Sequence, residues 1–330
     1  MDDFKKVTEL KVLNHLKRAL IEGYELTKEE VLALKEAPIE ALMEVADAIR
    51  QHFCGNTFDL CSIINGKSGA CSEDCKYCAQ SAYYKTCSEV YPLMEKEDIL
   101  MDAKAHEAQG VLRYSIVTSG KRLTKKELAR VCEIYKEIGD VTQLQVCASH
   151  GLLDREDFRQ LKTAGVTRYH NNLETSRAYF PQICTTHTYE DKIQAIRAAQ
   201  SVGLEVCSGG LFGMGESFED RIDMAFELKA LGIKSIPINI LVPVSGTPFA
   251  TLPRLTEEDI LRSMACYRLI HKEAAIRLAG GRNSLTELGE KTFLGGINAS
   301  ITGNLLTTCG NTIANDIEMV RRNGYKVGLL

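Results

Sequence analysis

The sequence has no apolar run approaching 18 residues, which excludes a membrane-spanning helix. Its opening residues, Met1-Asp2-Asp3-Phe4-Lys5-Lys6, hold no apolar stretch of the kind a secretory signal needs, so a cytoplasmic protein is expected. Charge excess is small: 40 basic against 44 acidic side chains give a formal net charge of −4. That balance argues against a polyanion-binding surface and against nucleic-acid partners. The basic cluster at Lys121-Arg122 and Lys125-Lys126 reads as a solvated helix entrance. No Pro/Gly/Ser-rich linker divides the chain, and no Rossmann glycine fingerprint is present. The nearest string, Gly213-Met214-Gly215-Glu216, runs into Ser217-Phe218 without a third glycine. What remains is a composition of 45% hydrophobic and 25% charged residues, usual for a folded soluble protein. The one excess is cysteine. Twelve in a chain with no export signal point away from disulfides and toward metal or redox chemistry.

Residues 1–55 read as a helical extension packed on the remainder of the chain. Leu10, Val12, Leu13, Leu16 and Leu20 recur at helical spacing, and Thr27-Lys28-Glu29-Glu30 is a capping box. A third helix carries Leu42, Val45, Ala46 and Ile49 on one face and stops near Gly55. From residue 56 to 330 the pattern alternates. Strands are expected near 58–65, 112–117, 142–147, 167–173, 204–210, 234–240, 274–279 and 294–299. Helices fall between them, including one near 283–291 and a last one near 313–324. This alternation predicts an α/β fold, a (β/α)8 TIM-type barrel with an N-terminal helical extension. An open doubly wound sheet is the alternative.

Side chains alternate in and out along a strand. Leu144 and Val146 oppose Gln145 and Cys147; Leu204 and Val206 oppose Glu205 and Cys207. Arg168, His170, Asn172 and Glu174 share one face, as do Pro237 and Asn239, and Arg277 opposes Ile276 and Leu278. Apolar faces must meet the helices, so the polar faces point inward. A lumen of Cys, Gln, Asn, Glu and Arg is costly unless ligands pair these groups, so the lumen is expected to be a site.

The densest motif is Cys71-Ser72-Glu73-Asp74-Cys75-Lys76-Tyr77-Cys78, in a loop after the first strand. Three closely spaced thiolates suit a 4Fe-4S cluster whose fourth iron stays open. A structural zinc site needs a fourth ligand, and only Cys87 follows nearby.

With its flanks, Asn65 through Ser81, this motif resembles the biotin synthase family of radical S-adenosylmethionine (AdoMet) enzymes. The resemblance continues through Tyr169-His170-Asn171-Asn172-Leu173-Glu174, Thr185-Thr186-His187, Cys207-Ser208-Gly209-Gly210, Pro237-Ile238-Asn239, Ile276-Arg277-Leu278 and Leu305-Leu306-Thr307-Thr308. It implies a sulfurtransferase that converts dethiobiotin to biotin, with AdoMet on the open iron of the Cys71/Cys75/Cys78 cluster. A 5′-deoxyadenosyl radical would then attack two unactivated carbons. It implies that Tyr77 lies near the adenine and that Asn172 and Glu174 hold the ribose. Asn172 and Asn239 would reach the substrate ureido ring, and Gly209 and Gly210 would let the amino-acid end of AdoMet approach the backbone. An electron donor such as flavodoxin or ferredoxin and a homodimer are implied as well. Related barrels, of the hydrogenase-maturase or methylornithine-synthase type, lack the combined Cys147/Cys207/Arg277 set. A non-catalytic Fe–S or zinc scaffold leaves Asn172, Glu174 and Asn239 without a purpose.

The sequence departs from the family at three places, one of them Glu174, a longer carboxylate where the family usually has Asp. The family's second cluster is 2Fe-2S, held by three cysteines and an arginine. Cys147, Cys207 and Arg277 match, but the remaining position is Ser115, and serine binds iron weakly. Cys61 shares parity with Asn65 on the first strand, which suggests an auxiliary cluster on Cys61, Cys147 and Cys207. Such a cluster would be four-iron, with Arg277 or an extra sulfide on its fourth iron. The alternative makes Cys61 a small buried hydrophobe. The third departure is His170, where the family often has asparagine. Cys184 is a weaker candidate near the barrel mouth. Cys132 and Cys266 fall on helical faces, and Cys54, Cys87 and Cys309 read as loop residues without a partner.

Overall fold

A computed structural model of the chain describes residues 2–306 and 310–330. Thr307, Thr308 and Cys309 lie outside the described residues, as does the side chain of Leu10. The extension contains α1 (Asp2–Ile21), α2 (Lys28–Ala33) and α3 (Ile39–Cys54). Then come β1 (Thr57–Lys67), α4 (Lys96–Ala108), β2 (Arg113–Thr118), α5 (Lys125–Val141), β3 (Gln145–Ser149), α6 (Arg155–Thr163), β4 (Arg168–His170) and α7 (Tyr189–Ser201). The second half holds β5 (Glu205–Cys207), β6 (Gly210–Phe212), α8 (Phe218–Ala230), β7 (Ser235–Ile240), α9 (Glu257–Ile270), β8 (Ala275–Leu278) and β9 (Ala299–Thr302). The chain finishes with α10 (Ile313–Arg322) and β10 (Lys326–Val327).

The strands pair in the order β1-β2-β3-β4-β5-β7-β8-β9, and β9 pairs back onto β1. All these pairings are parallel. β6 resumes beside β7 what β5 begins, so the wall is a closed barrel of eight staves. β10 pairs with the start of β1.

The helices begin where side chains satisfy their free N–H groups. Thr27, Thr124, Asp154, Thr188 and Ser217 each form a reciprocal capping box with a carboxylate three residues on. In the extension, Leu42, Val45, Ala46 and Ile49 are buried as their spacing predicts, and α3 packs on α9 while α2 packs on α8.

Three expected elements move. β3 begins at Gln145 because Thr142 still closes α5, donating its hydroxyl to the Ile138 carbonyl at 2.8 Å. The helix expected near 283–291 is a pair of 3-10 stretches broken at Glu287, Leu288 and Gly289, all with positive φ. There the chain coils around the buried Arg282, whose Nε donates to the Leu288 carbonyl at 3.0 Å. Gly296, left-handed at φ 92°, ends that coil, so the last stave starts at Ala299 rather than near 294.

Candidate functional site

The register of the barrel sorts the inward side chains into layers. Cys61 on β1 pairs with Arg113 on β2, which pairs with Gln145 on β3; two residues further up β3 is Cys147. Cys147 leads through Arg168 on β4 to Glu205 on β5, and two residues on is Cys207. Cys207 leads through Ser235 on β7 to Ala275 on β8, and two residues on is Arg277. Arg277 leads through Ala299 on β9 to Asp59 on β1, and two residues on is Cys61. The circuit closes after a total slip of eight residues, the shear of a (β/α)8 barrel, in which each layer draws four side chains from alternate staves. Cys61, Cys147, Cys207 and Arg277 are one such layer.

Ser115 and His170 lie half a layer above it, on the staves flanking Cys147. Asn172 and Asn239 come from the fourth and sixth staves, higher still. All eight of these residues line one cavity of about 410 Å³ that rises to Tyr77 and Cys78.

Beneath the cysteine layer the lumen is strongly positive. Arg113, Arg168 and Arg277 are buried around one carboxylate, Asp59, which is fully buried. Arg113 Nε and Arg277 Nη2 lie 3.4 and 3.3 Å from its oxygens, and Arg168 3.9 Å. Burial raises the Asp59 pKa, but the three guanidiniums outweigh it and hold the group below its usual value. Exposed Glu205 pairs with Arg168 from the rim at 2.9 Å. The Leu330 carbonyl accepts from Arg168 Nη2 at 2.9 Å and lies across the floor.

This positive excess acts on the thiols. The Cys61 thiol donates to the Ser62 carbonyl at 3.5 Å. Neighbouring Cys147 and burial push the Cys61 thiol up, while Cys61, Arg113 and Arg168 hold the Cys147 thiol below its usual value. Ser235 donates to Cys207 Sγ at 3.2 Å. Arg277 Nη1 donates to the carbonyls of Asp59 and Ser300, both at 3.1 Å, while its Nη2 is a buried donor with no hydrogen-bond partner. Three thiols beside buried guanidiniums fit an anionic, thiolate-bound cluster.

At the mouth, the cysteine loop is held from both sides. Ala70 adopts a left-handed φ of 47°. The Cys71 N–H then donates to the Gln80 carbonyl at 3.0 Å, and that of Cys78 to the Cys75 carbonyl at 2.9 Å. Lys76 N–H reaches the Ile183 carbonyl at 2.9 Å, and Asp74 accepts from the Thr185 and Thr186 amides at 2.8 and 3.1 Å. These bonds outweigh burial and hold the Asp74 carboxyl well below the usual carboxylate range. They also bring Cys184 within 3.7 Å of Cys75 and next to His187, a pairing the sequence did not reveal.

The amides of the middle zone are oriented by backbone. Asn172 Oδ1 accepts from the Gly209 N–H at 3.0 Å, and its Nδ2 lies 3.4 Å from Glu174. Asn239 donates to the Gly210 carbonyl at 3.1 Å and accepts from the Gly280 N–H at 2.9 Å. Each amide keeps hydrogen-bonding capacity toward the cavity. Glu174 is left-handed at φ 74° and bridges Gly210. A Cβ at Gly209 would stand 1.9 Å from the Pro237 carbonyl, so glycine is already required there by the protein's own backbone. His170 makes no hydrogen bond among the described residues, and burial lowers its pKa to about 4, leaving it neutral.

Other cysteines divide as their positions dictate. Cys132 and Cys266 are buried in α5 and α9. Cys54 is not a loop residue but ends α3, where its sulfur lies 3.5 Å from Arg268 Nη1. Cys87 is exposed.

Residues 65–228 match the Radical SAM superfamily, and residues 237–326 match the Biotin and Thiamin Synthesis associated domain. The biotin synthase of Akkermansia muciniphila is 54% identical, covering 92% of this chain and 95% of its own. That of Brachyspira hyodysenteriae is also 54% identical, covering 96% and 95%. The chain belongs to the biotin synthase family. It is thus a radical AdoMet enzyme by descent. Methylornithine synthase superposes with a TM-score of 0.83 at 19% identity, covering 95% of this chain and 97% of that one. An FeFe-hydrogenase maturase reaches 0.81 at 16%, covering 98% and 78%. At those identities the two structures share the family's fold alone.

Proposed function

We propose that this chain converts dethiobiotin to biotin, with AdoMet as the radical source and an auxiliary cluster of non-standard ligation as the sulfur donor. Cys71, Cys75 and Cys78 hold the 4Fe-4S cluster. Tyr77 faces the adenine, Asn172 and Glu174 the ribose, and the Gly209–Gly210 backbone the amino-acid end of AdoMet. Asn172 and Asn239 hold the ureido ring through the amide edges their backbone partners leave free. The AdoMet cluster supplies a hydrogen-abstracting radical and the auxiliary cluster supplies sulfur.

One observation carries the auxiliary-site reading: Cys61, Cys147, Cys207 and Arg277 complete a single barrel layer. Ser115 lies outside that layer. The set of three thiols with the Arg277 guanidinium beside them suits a four-iron cluster with an extra sulfide in place of the family's 2Fe-2S. Arg113 and Arg168 offset its negative charge. A flavodoxin or ferredoxin as electron donor, a homodimer and a cytoplasmic location rest on the family resemblance. Among the described residues no helix is long and apolar enough to cross a membrane.

The test is turnover by anaerobically purified protein with dethiobiotin, AdoMet and a reductant. Biotin and 5′-deoxyadenosine are the expected products. Protein that carries zinc without iron or sulfide, and forms neither product, contradicts the reading.

A further inference from the structure

The cysteine loop meets a sulfur from outside it. Cys184 Sγ lies 3.7 Å from Cys75 Sγ, although 109 residues separate the two. The Lys76 N–H pins the two segments side by side by donating to the Ile183 carbonyl at 2.9 Å. On the other flank Asp74 Oδ1 accepts from the Thr185 and Thr186 amides at 2.8 and 3.1 Å. The backbone is thus held on both sides of the sulfur contact. A disulfide needs about 2.0 Å between its sulfurs, so closing the contact takes about 1.7 Å, shared between two side-chain rotations.

Access differs across the contact. Cys75 is half-buried at the mouth, whereas Cys184 is only 3% exposed. An oxidant in solution therefore meets Cys75 first. Cys184 is kept beside it by Asp74 Oδ1, which accepts from its thiol at 3.2 Å, and by the His187 ring, 3.3 Å away. An accessible thiol with a sheltered one next to it is the arrangement of an attacked and a resolving cysteine.

We propose that Cys75 and Cys184 form a reversible disulfide in chains that do not carry the AdoMet cluster. Hydrogen peroxide oxidises the Cys75 thiol to a sulfenic acid and releases one water. The Cys184 sulfur then attacks the Cys75 sulfur and the S–O bond breaks. The hydroxyl leaves with the Cys184 proton as a second water. Two thiols lose two electrons and the peroxide gains them. A dithiol reductant reverses the bond by thiol–disulfide exchange. The disulfide keeps Cys75 from passing on to the irreversible sulfinic acid. It also withholds one ligand from the Cys71/Cys75/Cys78 set, so the cluster is built only after reduction. The bond itself is independent of the family reading, while its effect on assembly rests on Cys75 being a cluster ligand.

The full-length chain, freed of iron by chelation under anaerobic conditions, is treated with a stoichiometric amount of hydrogen peroxide. Remaining thiols are alkylated, and the digested protein is read by mass spectrometry. A Cys75–Cys184 cross-link, lost on treatment with dithiothreitol, is expected as the main product. Cys71→Ala/Cys78→Ala should form it as the wild type does. Cys184→Ser should lack it and should accumulate Cys75 sulfinic acid by about tenfold or more over the wild type. Urea denaturation of each variant checks that it folds. After reconstitution without added thiol, oxidised wild type should carry about four fewer irons per chain than reduced wild type, and dithiothreitol should restore them. Oxidised Cys184→Ser should not recover. A disulfide confined to Cys71, Cys75 and Cys78, or equal sulfinic acid at Cys75 in wild type and Cys184→Ser, overturns the proposal. A cross-linked chain that still takes up its full iron overturns the effect on assembly, and with it the role of Cys75 as a ligand.

Discussion

At the barrel mouth, three cysteines fall within one loop between positions 71 and 78, whereas the layer below draws three cysteines and an arginine from staves spread between positions 61 and 277. The mouth is a local device: turn geometry and backbone hydrogen bonds within the loop and to residues 183–186 hold it. The lower layer is a topological device, assembled only when β9 pairs with β1 and the register closes. Ligands grouped in a loop can be exchanged without disturbing the wall. Ligands set by register are fixed by the whole barrel. Cys61 shares a layer with Cys147 and Cys207, while Ser115 lies half a layer above it.

The largest expected effect separates the two devices outright. Cys71→Ala/Cys75→Ala/Cys78→Ala should abolish both biotin and 5′-deoxyadenosine while keeping iron and sulfide from the lower site. Loss of all iron would show that the two sites are not independent. Cys61→Ser comes next. It should cut biotin formation by more than about tenfold, since serine is a poor iron ligand, while 5′-deoxyadenosine is still released. Iron retained in Cys71→Ala/Cys75→Ala/Cys78→Ala should then fall when Cys61→Ser is added. If it does not fall, Cys61 is no ligand. Ser115→Cys added to Cys61→Ser restores the family's usual ligand set, and a two-iron spectrum is expected from it.

A third experiment weighs the charge beneath the layer. Asp59→Asn leaves three buried guanidiniums without their carboxylate and should cost about 3–5 kcal/mol in urea denaturation. Asp74→Asn, in the more exposed mouth, should cost much less because solvent screens it. Equal costs would erase the contrast.

A further test is the response to acid. His150 and His271 are buried with pKa values lowered by burial to about 3, and His170 to about 4. The unfolded chain takes up these protons near pH 6.5 and the folded chain does not. Stability is therefore fully present above pH 6.5 and falls as pH drops toward 4, by up to about 1.4 kcal/mol per pH unit for each histidine. A denaturation series across that range checks the slope, and His150→Gln should make it shallower. A flat profile would mean that these rings are already protonated or exposed in the fold.

Legibility in the sequence followed the same division. The three-cysteine loop and the alternation of strands and helices are patterns along the chain, and both stood in the structure. Strand parity also pointed Cys61, Cys147, Cys207 and Arg277 inward. Which of them share a height was not legible, because that depends on register across eight staves. Asp59 has the same parity as Cys61, yet its grip on three arginines appears only when the barrel closes. The Cys75–Cys184 contact was hidden for a similar reason, since 109 residues separate the two. The expected helix near 283–291 failed through Arg282, whose burial no local pattern announces.

The central claim is that the lower layer holds a four-iron cluster on Cys61, Cys147 and Cys207. Mössbauer spectroscopy of intact, iron-57-enriched, anaerobically purified protein tests it most directly. Two cubane signals are expected, with the second lost in Cys61→Ser. A two-iron signal beside one cubane, unchanged by Cys61→Ser, would contradict it.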